Sequence, residues 1–89
     1  MMYAEKETTL AIDLSSGRIA QKIASELNKE IKDSLYMTDG IKNINLKSII
    51  GILSSGFTFN DKVTIVAIGT DKEEAETSLE RAVNILSKI

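Results

Sequence analysis

One stretch limits the possible folds more than any other: Lys62-Val63-Thr64-Ile65-Val66-Ala67-Ile68, followed after Gly69 by Thr70-Asp71-Lys72-Glu73. The first part is the most β-branched run in the chain and predicts a central strand, because branched side chains fit a pleated, packed surface. The second part has the form of a capping box and predicts a helix start. Ala75, Leu79, Ala82, Val83 and Leu86 then mark one helical face, with Glu74, Glu76, Glu80 and Lys88 elsewhere. Acids crowd the first turns while Arg81 and Lys88 come later, which suits the helix dipole.

The rest of the chain has to supply partners for that strand and helix. Thr8 to Leu14 alternates, with Leu10, Ile12 and Leu14 on one side, and predicts a first strand. Ser15-Ser16-Gly17 interrupts the alternation, and Ser16 is placed to cap a helix beginning at Gly17 or Arg18. Ile19, Ala20, Ile23, Ala24, Leu27 and Ile31 form the apolar stripe of that helix. Ser34 to Thr38 reads as a second strand, Asp39-Gly40 as a hairpin turn and Ile41 to Leu46 as the returning strand. Ser48 opens a short helical segment through Leu53, closed by Ser54-Ser55-Gly56, and Asn60-Asp61 marks a turn. The order is β-α-β-β-α-β-α, an α+β open-faced sandwich of four antiparallel strands with three helices on one face.

Composition then removes whole classes of function. Eighty-nine residues make one domain, residues 1–89, with no room for a deep substrate cavity. There are no cysteines and no histidines. That excludes disulfides, thiol catalysis and the common transition-metal sites, and no spacing resembles a calcium loop. No metal and no cofactor is expected. A net charge of −2 with scattered Lys and Arg argues against direct nucleic-acid binding. The aromatics Tyr3, Tyr36, Phe57 and Phe59 do not alternate with basic residues, so no base-stacking surface is expected. Glu73-Glu74 belongs to a helix start and is not read as an acid/base pair. The N-terminus lacks the apolar core of a signal peptide, and no apolar run approaches ~20 residues, so no membrane association and a cytoplasmic location are expected.

The run Asn45-Leu46-Lys47-Ser48-Ile49-Ile50-Gly51, continued by Ser54 and Gly56, resembles the regulatory-serine segment of HPr, the phosphocarrier of the bacterial sugar phosphotransferase system. Asp39-Gly40 is similar to the hairpin of that family, and Val63-Thr64-Ile65 to its last strand. The family carries its phosphoryl group on the histidine of a loop reading roughly Gly-apolar-His-Ala-Arg-Pro-Ala. The corresponding stretch here is Leu14-Ser15-Ser16-Gly17-Arg18-Ile19-Ala20. Arg18 and Ala20 match, Ile19 replaces the proline, and Ser16 stands where the histidine should be. A serine phosphate ester is too stable for rapid onward transfer, so the resemblance implies a chain that is not an enzyme and no longer a phosphocarrier through this position.

The chain thus resembles the histidine-lacking, Crh-like branch of the family. That resemblance implies phosphorylation of Ser48 by an HPr kinase/phosphorylase. It further implies binding of the phosphorylated form to a LacI-type catabolite control regulator. The partner surface it implies comprises Arg18, Ile49, Ile50 and Leu53 around Ser48, with Lys47 adding a positive charge that a kinase or regulator could use. Leu46 and Ile52 supply the inward face in the family pattern, leaving the other apolar residues exposed. Ser48 is also an ordinary N-cap, and the two roles are compatible. Two alternatives stay open. One is an interaction or dimerisation module, with the apolar patch making a homodimer and no phosphorylation. The other is a divergent phosphoacceptor using Ser16.

Overall fold

The computed structural model describes residues 2–89. Its elements run β1 (Met2–Thr9), α1 (Gly17–Glu30), β2 (Ser34–Thr38), β3 (Asn43–Asn45), α2 (Ile49–Ser54), β4 (Lys62–Gly69) and α3 (Lys72–Ser87). The sheet order is β1-β4-β2-β3 and every pairing is antiparallel. The β-branched strand is central as expected, with β1 on one side and β2 on the other. Val63, Ile65 and Ala67 are buried on the helix side. They pair with Thr8, Lys6 and Ala4 of β1, while Ile65 and Ala67 also face Met37 and Leu35 of β2. The fold is thus the expected open-faced sandwich.

The first strand is displaced from its predicted position. It covers Met2–Thr9, not Thr8 to Leu14. The usable length of β4 explains this. Thr9 pairs with Lys62, the first residue of β4, and beyond it the chain meets a turn. Leu10 takes only two backbone hydrogen bonds from that turn, donating to the Asp61 carbonyl at 2.9 Å and accepting from the Asn60 N–H at 2.8 Å. Asn60 holds a left-handed φ of 76°, which asparagine tolerates better than most residues. The apolar alternation of Leu10, Ile12 and Leu14 is real, but it serves a loop that plugs the end of the core. The polar-looking Met2–Glu7 can be a strand because an edge position buries one side only.

The hairpin is shorter than predicted, since β3 is Asn43–Asn45 where Ile41 to Leu46 was expected. Side chains build its tip. The Asp39 carboxylate accepts from the N–H groups of Ile41 and Lys42, both at 2.9 Å. Thr38 Oγ1 donates to the Lys42 carbonyl at 2.7 Å. Gly40 sits at φ +93°, where a side chain would be strained. The cap of α3 also lies one residue later than the predicted box. Asp71 accepts from the Glu74 N–H at 2.8 Å, and Glu74 reaches back to the Thr70 N–H at 3.2 Å.

The helices close the core. Ala20, Ile23, Ala24 and Leu27 of α1 are buried, and from α3 the small residues Ala75, Ser78 and Ala82 plus Leu86. Small residues bring α3 close to the sheet. At Gly69 an added Cβ would lie 3.1 Å from the Ala75 nitrogen and 2.9 Å from an Asp33 carboxylate oxygen. That carboxylate accepts from Ser78 Oγ at 2.6 Å, tying the α1–β2 connection to α3. The Arg81–Glu30 pair at 3.1 Å also joins α3 to α1, but it is exposed and contributes little.

Candidate functional site

Ser48 and Ser16 are both helix N-caps, as the sequence predicted. Ser48 Oγ accepts from the Gly51 N–H at 3.1 Å. Ser16 Oγ accepts from the Ile19 N–H at 3.4 Å. Each hydroxyl therefore serves the donor three residues on, and each backbone is extended at the cap.

The segments before the two caps are built alike, in Asp13-Leu14-Ser15-Ser16 and Asn45-Leu46-Lys47-Ser48. In the first, Asp13 Oδ1 accepts from the Ser15 N–H at 2.9 Å and the Asp13 carbonyl accepts from the Ser16 N–H at 3.4 Å. In the second, Asn45 Oδ1 accepts from the Lys47 N–H at 2.8 Å and the Asn45 carbonyl from the Ser48 N–H at 3.1 Å. Both leucines are fully buried. Each serine is therefore fixed by an Asx turn, which lets a side-chain oxygen stand in for a backbone acceptor, and by a leucine anchor. This four-residue likeness was readable in the sequence as Asx-Leu-x-Ser, and reasoning from helical and strand periodicity passed over it.

The surroundings differ. After Ser48 come Ile49 (42% exposed), Ile50 (79%) and, one turn on, Leu53 (40%). Ile52 of the same helix is fully buried. A six-residue helix thus spends one apolar residue on the core and leaves three outside, which is unusual for a small protein surface. A groove of about 570 Å³ runs between α1 and α2, lined by Gln21, Ala24, Ser25 and Asn28 on one side and Ser48 and Ile49 on the other. After Ser16, by contrast, come exposed Gly17 and Arg18 and half-buried Ile19. Among the described residues, Arg18 makes no ion pair.

Lys47, next to Ser48 in the sequence, directs its ammonium to another element. Its ammonium donates to the Ile31 carbonyl at the end of α1. Burial lowers its pKa from the ordinary 10.5, while the nearby Asp33 carboxylate pulls the other way. The side chain closes a helix C-terminus that would otherwise present a bare carbonyl. Sequence spacing had no means of showing this, because the partner lies sixteen residues away in the chain.

Elsewhere the surface offers less chemistry. A groove of about 810 Å³ between β1 and α3 is lined by Lys6, Lys72, Glu76, Leu79 and Val83 among others, with no histidine or cysteine to act in it. Among the described residues no group of His, Cys, Asp and Glu is arranged to hold a metal ion, and no helix is long and apolar enough to cross a membrane.

Comparison with known proteins puts this arrangement in context. A family model described as the PTS HPr component phosphorylation site matches residues 6–84. The phosphocarrier protein HPr of Mycoplasma pneumoniae is 48% identical over 61 residues, which cover 65% of this chain and 66% of that protein. The match therefore spans just under two thirds of that relative. The HPr-like protein Crh of Bacillus subtilis is 33% identical over 75 residues, covering 84% of this chain and 86% of its own. Among solved structures, HPr from Bacillus anthracis superposes with a TM-score of 0.72 at 26% identity, over 96% of this chain and 98% of that one. Crh of B. subtilis, described as a dimer formed by swapping, superposes with a TM-score of 0.69 at 25% identity, over 99% of this chain and 95% of that one.

Proposed function

Because this chain belongs to the HPr family, whose members are phosphocarriers rather than turnover enzymes, we propose that it is a regulatory member signalling through reversible phosphorylation of Ser48. The observation that carries the reading is the exposed trio Ile49, Ile50 and Leu53 beside a capped serine, in a sequence with no histidine. Without histidine there is no imidazole nitrogen to carry a labile phosphoryl group. Ser16 takes the corresponding place, and its hydroxyl gives only a stable ester.

The proposed step uses ATP and an HPr kinase/phosphorylase. Ser48 Oγ attacks the γ-phosphorus, a base of the kinase takes the hydroxyl proton, the bond to the bridging oxygen breaks and ADP leaves. The product is a phosphomonoester carrying about −1.5 to −2 charge. Placed at one end of an apolar patch, that charge changes which surface the patch fits. A LacI-type catabolite control regulator, meeting the patch through Ile49, Ile50 and Leu53 and contacting Arg18 at the start of α1, is the partner proposed. This reading places the chain in the cytoplasm and in carbon catabolite control. Lys47, already committed to the Ile31 carbonyl, has a lesser part.

The test is intact mass and peptide mapping after incubation with the kinase and ATP, with a histidine-bearing HPr as positive control. One phosphate on Ser48 is the expected result. A labelled control beside an unlabelled chain overturns the reading. A second reading is a homodimer through the same patch without phosphorylation, and the swapped dimer described for the related Crh supports it only as far as self-association. It predicts a concentration-dependent mass in solution that is lost on Ile50→Asp.

A further inference from the structure

We propose that Asn28, on α1, is a positioning residue for Ser48, acting through the carbonyl of Lys47. The inference rests on the reading of Ser48 as the phosphoacceptor. The Asn28 side-chain amide donates to two carbonyls, that of Ala24 one turn back at 2.8 Å and that of Lys47 at 3.0 Å. Both partners are acceptors, so both bonds need the two N–H donors of an NH2 group, and a carboxylate at this position can supply neither.

The Lys47 carbonyl belongs to the peptide plane immediately before Ser48. The other side of that plane is also held, because the Ser48 N–H donates to the Asn45 carbonyl at 3.1 Å. With the plane pinned from α1 and from the Asn45 turn, Ser48 has its backbone direction fixed, and its Oγ is then held by the Gly51 N–H. The hydroxyl accepts in that bond and keeps its own proton for an outside base. Phosphoryl transfer needs the attacking oxygen in line with the bond that breaks, so this preorganisation acts on the rate of the chemical step. Ser16 lacks the arrangement. Among the described residues no side chain donates to the carbonyl of Ser15.

The experiment measures steady-state phosphorylation by HPr kinase/phosphorylase and ATP for the wild-type chain and for Asn28→Ala, Asn28→Asp and Asn28→Gln, with thermal melting of each. In Asn28→Ala and Asn28→Asp, kcat should fall on the order of tenfold with KM within about twofold, since a small misplacement of a reacting atom costs rate before binding. Asn28→Gln keeps both donors and should recover part of the rate. Alanine is the better helix former, which offsets part of the two lost hydrogen bonds, so Asn28→Ala should stay fully folded at the assay temperature while its rate falls. That opposition separates positioning from structural support. Wild-type rates in all variants overturn the proposal, as does a change confined to KM or a rate loss that follows a loss of folded protein. An unlabelled wild-type chain overturns the Ser48 reading itself, and the role of Asn28 falls with it.

Discussion

Two serines in this protein are held by the same local device, and only one of them sits in a surface that looks built for recognition. Ser16 and Ser48 each come directly after an Asx turn that contains a fully buried leucine, and each caps the N–H three residues on. Local geometry therefore does not tell them apart. The differences come from tertiary structure. The backbone before Ser48 is gripped from α1 by Asn28, and three exposed apolar residues follow it. Ser16 is followed by a glycine and an exposed arginine. The lesson is that a cap reports how a helix starts, while function is read from what surrounds the cap.

The sharpest way to break the comparison is chemical labelling. Ser48→Ala should abolish kinase-dependent phosphorylation and partner binding, and Ser16→Ala should leave both intact. Loss of label in Ser16→Ala with retention in Ser48→Ala would reverse the assignment. Next in size come the leucine anchors. Leu14→Ala and Leu46→Ala should each cost about 2–5 kcal/mol in denaturant unfolding, because each empties a packed site. Ile50→Ala, on the exposed patch, should stay within about 0.5 kcal/mol. A large cost at Ile50 would mean that the patch supports the fold.

The caps themselves come third. Ser16→Ala and Ser48→Ala should each destabilise by about 0.5–2 kcal/mol. The larger value belongs to Ser48, whose bond is the shorter at 3.1 Å against 3.4 Å. The smallest effect is acid sensitivity. The Asp13 carboxylate is held below its ordinary pKa of 3.8, first by the Ser15 hydroxyl and then by the Ser15 N–H. A lowered folded value means that its contribution is present above the ordinary carboxylate range and is lost as pH falls through the folded pKa. Amide signals of Ser15 and Ser16 should therefore shift on acidification while those of Lys47 and Ser48 do not respond to Asn45, which has no proton to gain. Asp13→Asn should erase the contrast. If it persists in that variant, the titration belongs to another group.

The order of elements was legible because β4 and α3 carry strong periodic signals in Val63, Ile65 and Ala67 and in Ala75, Ala82 and Leu86. The exposure of Ile49, Ile50 and Leu53 was legible only through the family pattern, since three apolar residues in a short helix otherwise suggest core. The first strand was misplaced because its position depends on where β4 ends, a fact of pairing that Leu10, Ile12 and Leu14 do not carry. Lys47 shows a related limit. Its neighbour in sequence is Ser48, but the acceptor it finds is the Ile31 carbonyl, brought near by the packing of α1. Asn28 left no periodic signal at all, because a single polar residue on an exposed helical face looks like solvent contact until a distant carbonyl appears beside it.

The register of β1 has one more consequence. Lys6 pairs with Ile65, so it lies on the side of the sheet that faces the helices, yet it is exposed because β1 is an edge strand. Any further strand laid along β1 would have to cover that ammonium or turn it out of the way. An inward-facing charge of this kind discourages sheets from growing by stacking edge to edge. Lys6 thus puts a charge on the edge where an eight-residue row of backbone groups would otherwise invite pairing.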